Sequence, residues 1–255
     1  MTATSPLLVH VPHASTAIPA EVRADLLLDD AALDAELDAM TDWYTDRLAA
    51  DALERSGVVA VVVRNPHSRL VIDPERFPDE REVMRSRGMG AVYTRTSALD
   101  PLRRPDPAAE QVLLDRYFHP YARALAGHVA AAVDAFDRCV LVDLHSYPSL
   151  ALPYELDPDA ARPGVCIGTD PVHTPSALRE AVAGAFAGVR GGVAVDTPFA
   201  GTYVPLDRYG SDLRVSSVMV EIRRDLYLDE PSTIDPAGFD DLVGRLATLF
   251  TTLAD

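Results

Sequence analysis

The sequence predicts an α/β fold with a mostly parallel or mixed central sheet and helices on both faces. Short apolar, β-branched runs alternate with longer segments of helical periodicity, a pattern typical of doubly wound sheets. Several of these runs are apolar throughout, as expected for strands covered on both faces. The 255 residues are 48% hydrophobic, which is enough for a large core, and we predict a single domain over residues 1–255.

The individual elements follow from the spacing of the apolar residues. The predicted strands are Leu7–Val11, Val58–Val63, Arg69–Ile72, Cys139–Leu144, Val165–Gly168 and Val215–Ile222. The predicted helices are Ala31–Arg55, Pro107–Phe136, Ser176–Ala187 and Pro236–Leu253. Two long stretches rich in Pro, Arg and Asp are predicted as loops, and loops of this length are often functional: Asp73–Asp106 and Pro153–Pro163.

Composition narrows the class of protein. The net charge of -16 disfavours binding to nucleic acid, which needs a cluster of cations. The chain contains no lysine, which excludes Schiff-base chemistry and a P-loop, whereas arginine is suited to forked recognition of carboxylates. No stretch approaches the roughly 20 apolar residues of a membrane span, and residues 1–6 lack the basic start of a signal peptide. We therefore expect a cytoplasmic protein, either a monomer or a small homo-oligomer.

Two histidines follow predicted strands. His13 comes directly after the first strand and His145 after the fourth, and ligand sites in open α/β sheets lie at this edge. Asp143 points to the same face of its strand as His145, so it could orient that imidazole. Alternatively, His13 makes only local hydrogen bonds and His145 belongs to a turn capped by Ser146. Two histidines at two strand ends favour a metal site, since zinc draws its ligands from separate elements.

Two acidic residues complete the pattern. Glu221 lies inside an apolar strand, where a carboxylate is costly unless it is paired. Its environment could make it a general base, or it could form a salt bridge with Arg223 or Arg224. Asp42 could supply the oxygen ligand of a site with two histidines, or Thr41 or Asp42 could cap a helix.

Arginines flank the third predicted strand. Arg69 and Arg76 could clamp a substrate carboxylate, or could form surface salt bridges. The sequence has no G-x-S-x-G, G-x-G-x-x-G, H-E-x-x-H or C-x-x-C motif, so serine hydrolases, dinucleotide enzymes and thermolysin-like proteases lose their usual support. The two cysteines, Cys139 and Cys166, lie in apolar runs and are predicted to be buried free thiols.

Six short motifs occur in order between residue 12 and about residue 227. Together they resemble those of the N-formylglutamate amidohydrolases (deformylases), a family distantly similar to zinc carboxypeptidases and aspartoacylases. The motifs are Pro12-His13-Ala14-Ser15, Thr41-Asp42-Trp43, Ser68-Arg69-Leu70-Val71-Ile72-Asp73, Asp143-Leu144-His145-Ser146, Pro198-Phe199-Ala200-Gly201-Thr202-Tyr203 and Val220-Glu221-Ile222.

The resemblance implies a zinc-carboxypeptidase-like (phosphorylase/hydrolase-like) fold and one bound Zn²⁺. In those relatives a strand-end histidine and a later histidine hold zinc, and a late-strand glutamate acts as base. His145 and Glu221 lie in motifs similar to those of the later histidine and the late-strand glutamate. The relatives carry a glutamate three residues after the first histidine, where this chain has Thr16. We therefore predict His13, His145 and Asp42 as the metal ligands.

The implied reaction is the hydrolysis of N-formyl-L-glutamate to glutamate and formate, a step of histidine degradation. Glu221 would act as base and Arg69 would help stabilise the oxyanion. Arg69 and Arg76, with Arg208, would bind the carboxylates of this small-molecule substrate, and Tyr203 would contribute a hydroxyl group.

The chain departs from the deformylases at three places on the expected substrate side. An acidic residue is usual where Met40 stands, an asparagine where Glu75 stands, and a second glycine where Thr202 stands. These differences bear on the identity of the substrate more than on amide hydrolysis. Three alternatives remain open: a hydrolase of another N-acyl amino acid or small peptide, a non-catalytic binding module, and a metal-free enzyme using His145 and Asp143 as a dyad.

Overall fold

The computed structural model describes residues 3–229 and 232–254, and a six-stranded sheet lies at its centre. The spatial order is β2-β1-β3-β6-β4-β5. The first four strands in this order run parallel, β4 is antiparallel to β6, and β5 is parallel to β4. The predicted mixed, mostly parallel sheet is therefore confirmed. The strands are β1 Leu7–Val11, β2 Val61–Arg64, β3 Cys139–Tyr147, β4 Val165–Gly168, β5 Val193–Val195 and β6 Val215–Arg223.

Helices connect these strands, and a small hairpin precedes the last helix. The helices are α1 Ala20–Arg23, α2 Asp30–Met40, α3 Thr45–Ser56, α4 Pro107–Leu113, α5 His119–Phe136, α6 Ser176–Ala185 and α7 Pro236–Ala254. The hairpin pairs β7 Leu228–Asp229 with β8 Thr233–Ile234. A π-helical turn at Leu114–Phe118 joins α4 to α5, so the helix predicted over residues 107–136 is present but not regular. Within the two described ranges, no helix is both long and apolar enough to cross a membrane.

Both faces of the sheet are covered by helices. Successive side chains of a strand point to opposite faces. Leu7 and Val9 of β1 therefore belong to the cluster formed with α3, α6 and α7. Leu8 and Leu141 belong instead to the cluster formed with α5. This arrangement leaves the carboxyl ends of β1, β3 and β6 side by side at one edge of the sheet.

The single helix predicted over residues 31–55 is wrong, because the chain forms two helices there. Thr41 leaves the helical conformation, with φ -80° and ψ 133°, and Tyr44 is left-handed, with φ 61°. The amide of Asp42 donates a hydrogen bond to the carbonyl oxygen of His13, at 3.0 Å. Apolar periodicity continues on both sides of the break, so the local pattern does not reveal the break. The tertiary contact with the backbone of His13 places Asp42 beside that residue.

The strand predicted at Arg69–Ile72 is also wrong. These residues form turns, in which the amide of Val71 donates to the carbonyl oxygen of Ser68 at 2.9 Å. Leu70, Val71 and Ile72 are fully buried all the same, so the apolar run correctly indicated burial but not strand pairing. Conversely, the three-residue strand β5 was not predicted, and β3 extends to Tyr147, which places His145 within the strand.

Candidate active site

A cavity of about 910 Å³ opens at the edge of the sheet where β1, β3 and β6 end. His13, Asp42, His145 and Glu221 all line it. The topology explains how they meet. His145 and Glu221 are register partners on neighbouring parallel strands, and His13 follows β1, which pairs with the other side of β3. Sites at the carboxyl edge of parallel strands are the rule in such folds.

His13, Asp42 and His145 form a compact group of potential metal ligands. His13 Nδ1 lies 3.2 Å from His145 Nδ1, and Asp42 Oδ2 lies 3.1 Å from His145 Nδ1 and 3.6 Å from His13 Nδ1. A tetrahedral zinc site with bonds of about 2.0–2.1 Å places neighbouring ligand atoms about 3.3 Å apart. All three side chains are almost completely buried. The donor set therefore fits a single zinc ion.

The second nitrogen of His13 is held by a carboxylate. His13 Nε2 lies 2.9 Å from Oδ1 of Asp73, which is fully buried. Arg69 donates to Asp73 Oδ2 at 2.8 Å, and the hydroxyl group of Tyr93 donates to the same oxygen. Burial opposes ionisation of Asp73, but His13 and Arg69 outweigh it and hold its pKa well below the ordinary value. An ionised Asp73 places the proton of His13 on Nε2 and leaves Nδ1 available as a ligand.

The second nitrogen of His145 lies within ion-pair distance of two carboxylates. Its Nε2 lies 3.1 Å from Asp143 Oδ1 and 3.0 Å from Glu75 Oε2. Both carboxylates also reach His10 Nδ1, Asp143 at 2.9 Å and Glu75 at 3.2 Å. Asp143 Oδ2 accepts the amide of Tyr203 at 3.0 Å. Asp143 thus lies on the same face of β3 as His145, beside its Nε2 nitrogen.

Three residues of this network were not anticipated as site residues. His10 is hidden inside the apolar strand β1, and Asp73 and Glu75 lie in the arginine motif, where their contacts depend on how the loop folds back. The available signal for His10 was a histidine inside an otherwise apolar strand, where a polar ring is costly to bury without a partner. His10, Glu75 and Asp143 form a second group that could hold a metal ion. Glu75 and Asp143 also lie beside Nε2 of His145, and His10 contacts both carboxylates, so the three residues can equally support the first group.

Glu221 faces the cavity and forms no salt bridge with any residue in the described ranges. Arg223 donates to Asp225, and Arg224 donates to backbone oxygens of residues 38 and 39. Among the residues that the structure describes, Glu221 Oε2 is buried and has no hydrogen-bond partner. Burial raises the pKa of Glu221 to about 7, although the nearby imidazole of His145 lowers it. The geometry therefore disfavours the salt-bridge alternative and agrees with a group that exchanges protons near neutral pH.

Asp42 has the opposite electrostatic character. Burial opposes its ionisation, but hydrogen bonds with His13 and His145 outweigh burial and hold the pKa of Asp42 below its ordinary value. Asp42 therefore stays ionised while Glu221 titrates near pH 7. Two carboxylates in one cavity with pKa values this far apart suit different tasks, one as a ligand and one as a proton acceptor.

Of the four predicted substrate-binding residues, three line the cavity and one does not. Arg69 and Arg76 line the cavity, as does Tyr203, whose ring centroid lies 4.8 Å from that of His10. Arg69 is committed to Asp73 and Tyr93, whereas Arg76 approaches Asp73 only to 3.6 Å. Arg208 lies outside the lining of the cavity and pairs with Asp212. Arg76 is thus a cavity-lining guanidinium group whose Nε has no hydrogen-bond partner among the described residues.

Two solved structures share this fold. One is the crystal structure of N-formylglutamate amidohydrolase from Ralstonia eutropha JMP134, with a TM-score of 0.77 and 23% identity over 100% of this chain and 94% of that chain. The other is a gene product from Agrobacterium tumefaciens, with a TM-score of 0.72 and 21% identity over 98% of this chain and 91% of that chain. Among curated protein sequences, none matches this chain significantly.

The family model for N-formylglutamate amidohydrolase matches residues 5–228, which is most of the sequence. This range contains every residue of the two potential metal-ligand groups and Glu221. The resemblance noted from six short motifs is therefore confirmed over a continuous match. The chain belongs to the N-formylglutamate amidohydrolase family.

Proposed function

We propose that this protein is a zinc-dependent amidohydrolase that cleaves the amide bond of an N-formyl or N-acyl amino acid, with N-formyl-L-glutamate as the leading substrate. One observation carries the proposal. Nδ1 of His13, Nδ1 of His145 and Oδ2 of Asp42 converge within 3.6 Å of one another, in the cavity that Glu221 faces. Family membership supports amide hydrolysis as the reaction.

The carboxylates around the two imidazoles support a bound cation. Asp73 accepts from Nε2 of His13, and Asp143 with Glu75 faces Nε2 of His145. Burial lowers the pKa of His145, but Glu75 and Asp143 outweigh it and raise the pKa well above the ordinary value, so the surroundings favour a positive charge here. A zinc ion between the two Nδ1 atoms and Asp42 would supply that charge. Zinc in such a site polarises a carbonyl group and makes water acidic near neutral pH.

Glu221 is the proposed general base. With a pKa of about 7 it can accept a proton from the attacking water and then deliver it to the leaving amine at neutral pH. Its unpartnered Oε2, as the described residues show it, is free to take this role without breaking another bond. The same residue serves as base and as acid, so the cycle ends with Glu221 in its starting state.

Arg76 is the proposed anchor for a substrate carboxylate. Arginine binds carboxylates through two parallel hydrogen bonds, and Arg76 is held only loosely by its acidic neighbours. Arg69 lies beside it and adds positive charge for the developing oxyanion, while Tyr203 offers a hydroxyl group. Because Arg208 is paired with Asp212 outside the cavity, a role for it in substrate binding remains a prediction from sequence alone.

The test combines metal analysis with formate release. We expect about one zinc per chain, and formate release from N-formylglutamate that stops on chelation and returns with zinc. Activity that survives complete chelation would favour the His145–Asp143 dyad instead, while bound zinc without hydrolysis of any amide would favour a binding module. A cytoplasmic location and a place in histidine degradation also remain predictions.

A further inference from the structure

The cavity is much larger than an N-formyl amino acid requires. Its volume is about 910 Å³, near the upper end of the roughly 300–1,000 Å³ that is usual for pockets that bury drug-sized ligands. The proposed metal ligands, Glu221 and the arginines occupy the inner part. Loops and parts of α2 and α5 build the remaining wall. A formyl group is too small to contact all of it.

An aromatic wall begins beside the proposed catalytic residues. Tyr147 ends β3, two positions after His145, and the Phe199 ring packs edge-on against it with centroids 5.4 Å apart. Arg162 lies over the Tyr147 ring at 4.9 Å, and the hydroxyl group of Tyr147 donates to the carbonyl oxygen of Pro163. Both aromatic rings line the cavity. These contacts hold them in place, so they present a preformed apolar surface.

Apolar side chains from separate loops continue this wall outward. Phe77 and Tyr209 form an edge-to-face pair at 6.1 Å, and Leu156 and Leu206 lie at the same cavity. Leu156 is 61% exposed and Leu206 is 43% exposed. Single exposed leucines are ordinary, but apolar residues that converge on one concave surface indicate a binding site. A ligand that covered them would remove this surface from water.

The mouth of the cavity carries charges of both signs. Asp157 and Asp207 line the cavity and are exposed. Arg81 and Arg123 line the cavity as well. Arg81 is committed to Asp79 by two hydrogen bonds, and Arg123 is exposed. An acidic extension of the substrate would therefore meet charges of both signs, whereas an uncharged apolar group would meet the aromatic wall.

We propose that, besides N-formylglutamate, the enzyme takes N-acyl amino acids whose acyl group is an apolar chain or ring several carbons long, and binds them more tightly along Tyr147, Phe199, Leu206, Tyr209 and Phe77. This inference rests on the proposed function, because the amino acid end is placed by Arg76 and the scissile amide by the proposed metal ligands. The apolar acyl group then extends into the part of the cavity that formyl leaves empty.

Binding to the zinc-loaded Glu221→Gln protein tests this preference independently of turnover. Calorimetry would compare N-formyl-, N-acetyl-, N-hexanoyl- and N-phenylacetyl-glutamate, together with the dipeptide γ-glutamyl-glutamate. Burying one methylene strengthens binding by up to about four-fold. We therefore expect N-hexanoylglutamate to bind at least about ten-fold more tightly than N-formylglutamate, with the dipeptide weaker than both apolar compounds. Equal or weaker binding of the hexanoyl compound, or tightest binding of the dipeptide, would overturn the proposal.

A matched pair of variants locates the apolar site. Leu206→Asp should lower the ratio of hexanoyl to formyl affinity by about ten-fold or more. Leu150→Asp is the control, because Leu150 is 79% exposed and lies outside the cavity lining. An unchanged ratio in Leu206→Asp, or an equal fall in Leu150→Asp, would count against the site. If the wild-type protein hydrolysed none of these amides, the proposed function would fail, yet the affinity series would still decide the preference.

Discussion

His13 and His145 face each other through their Nδ1 atoms, 3.2 Å apart, while Nε2 of each ring is turned towards a buried carboxylate. Carboxylates on the outer nitrogens fix the tautomers and raise the basicity of the inner ones. Asp42 adds an oxygen 3.1 Å from His145 Nδ1. Our predictions test whether this arrangement is a metal site and whether Glu221 performs the proton transfers.

Removal of the oxygen ligand should weaken zinc binding strongly. We expect Asp42→Ala to lower zinc affinity by more than about 100-fold, since even residues behind the ligands contribute about 10- to 100-fold. Competition with a chromophoric chelator would measure the affinity. Asp34→Ala is the control, because Asp34 is exposed on the preceding helix. Unchanged affinity in Asp42→Ala would remove Asp42 from the ligand set.

Removal of the charge behind His13 should have a smaller effect. In Asp73→Asn the amide can no longer accept strongly from Nε2 of His13, and we expect zinc affinity to fall by about 10- to 100-fold. Because Asp73 also balances Arg69, the melting temperature of the zinc-free protein should be measured in parallel. A folded Asp73→Asn protein with wild-type affinity would show that Asp73 does not tune the site.

Neutralisation of the proposed base should separate binding from catalysis. Glu221→Gln keeps the shape of the side chain but cannot accept a proton, so we expect kcat to fall by about 10²- to 10⁴-fold with zinc content unchanged. Glu180→Gln, at an exposed position on α6, should behave like the wild type. Near-wild-type turnover in Glu221→Gln would exclude Glu221 as the base.

Metal removal should destabilise the fold as well as stop the reaction. A ligand that binds only the native state stabilises it by about 4 kcal/mol at a concentration 1,000 times its Kd. We therefore expect chelation to lower the melting temperature, and equimolar zinc to restore both the melting temperature and activity. Calorimetric scans with and without chelator would measure the shift. A melting temperature insensitive to zinc at saturating concentrations would contradict binding to the native protein.

A core substitution in α7 should lower the stability of the fold without altering the candidate active site. Phe250 of α7 is fully buried against the sheet, and its truncation to alanine should cost about 3–5 kcal/mol. Urea denaturation would measure the loss. Thr252→Ala, at an exposed position of the same helix, should change stability by less than about 0.5 kcal/mol. Equal stabilities of the two variants would argue against this packing.

Much of the framework could be predicted because it follows from local patterns. Runs such as Leu7–Val11 are apolar at every position, and a strand buried on both faces requires this. His13 and Glu221 could be singled out for a related reason, since a polar residue next to or within such a run is costly unless it has a task. The order of the six motifs then led to the family.

The sequence by itself determined the mixed sheet, its helical layers and the candidates His13, His145, Asp42 and Glu221. Only the tertiary structure decided that the chain breaks at Thr41 to bring Asp42 to His13, and that Asp73 and Glu75 turn back to the imidazoles. The physical reason is that strands and helices follow short-range periodicity. The carboxylates around the site, by contrast, are placed by contacts between residues that are as many as 133 positions apart, as His10 and Asp143 are.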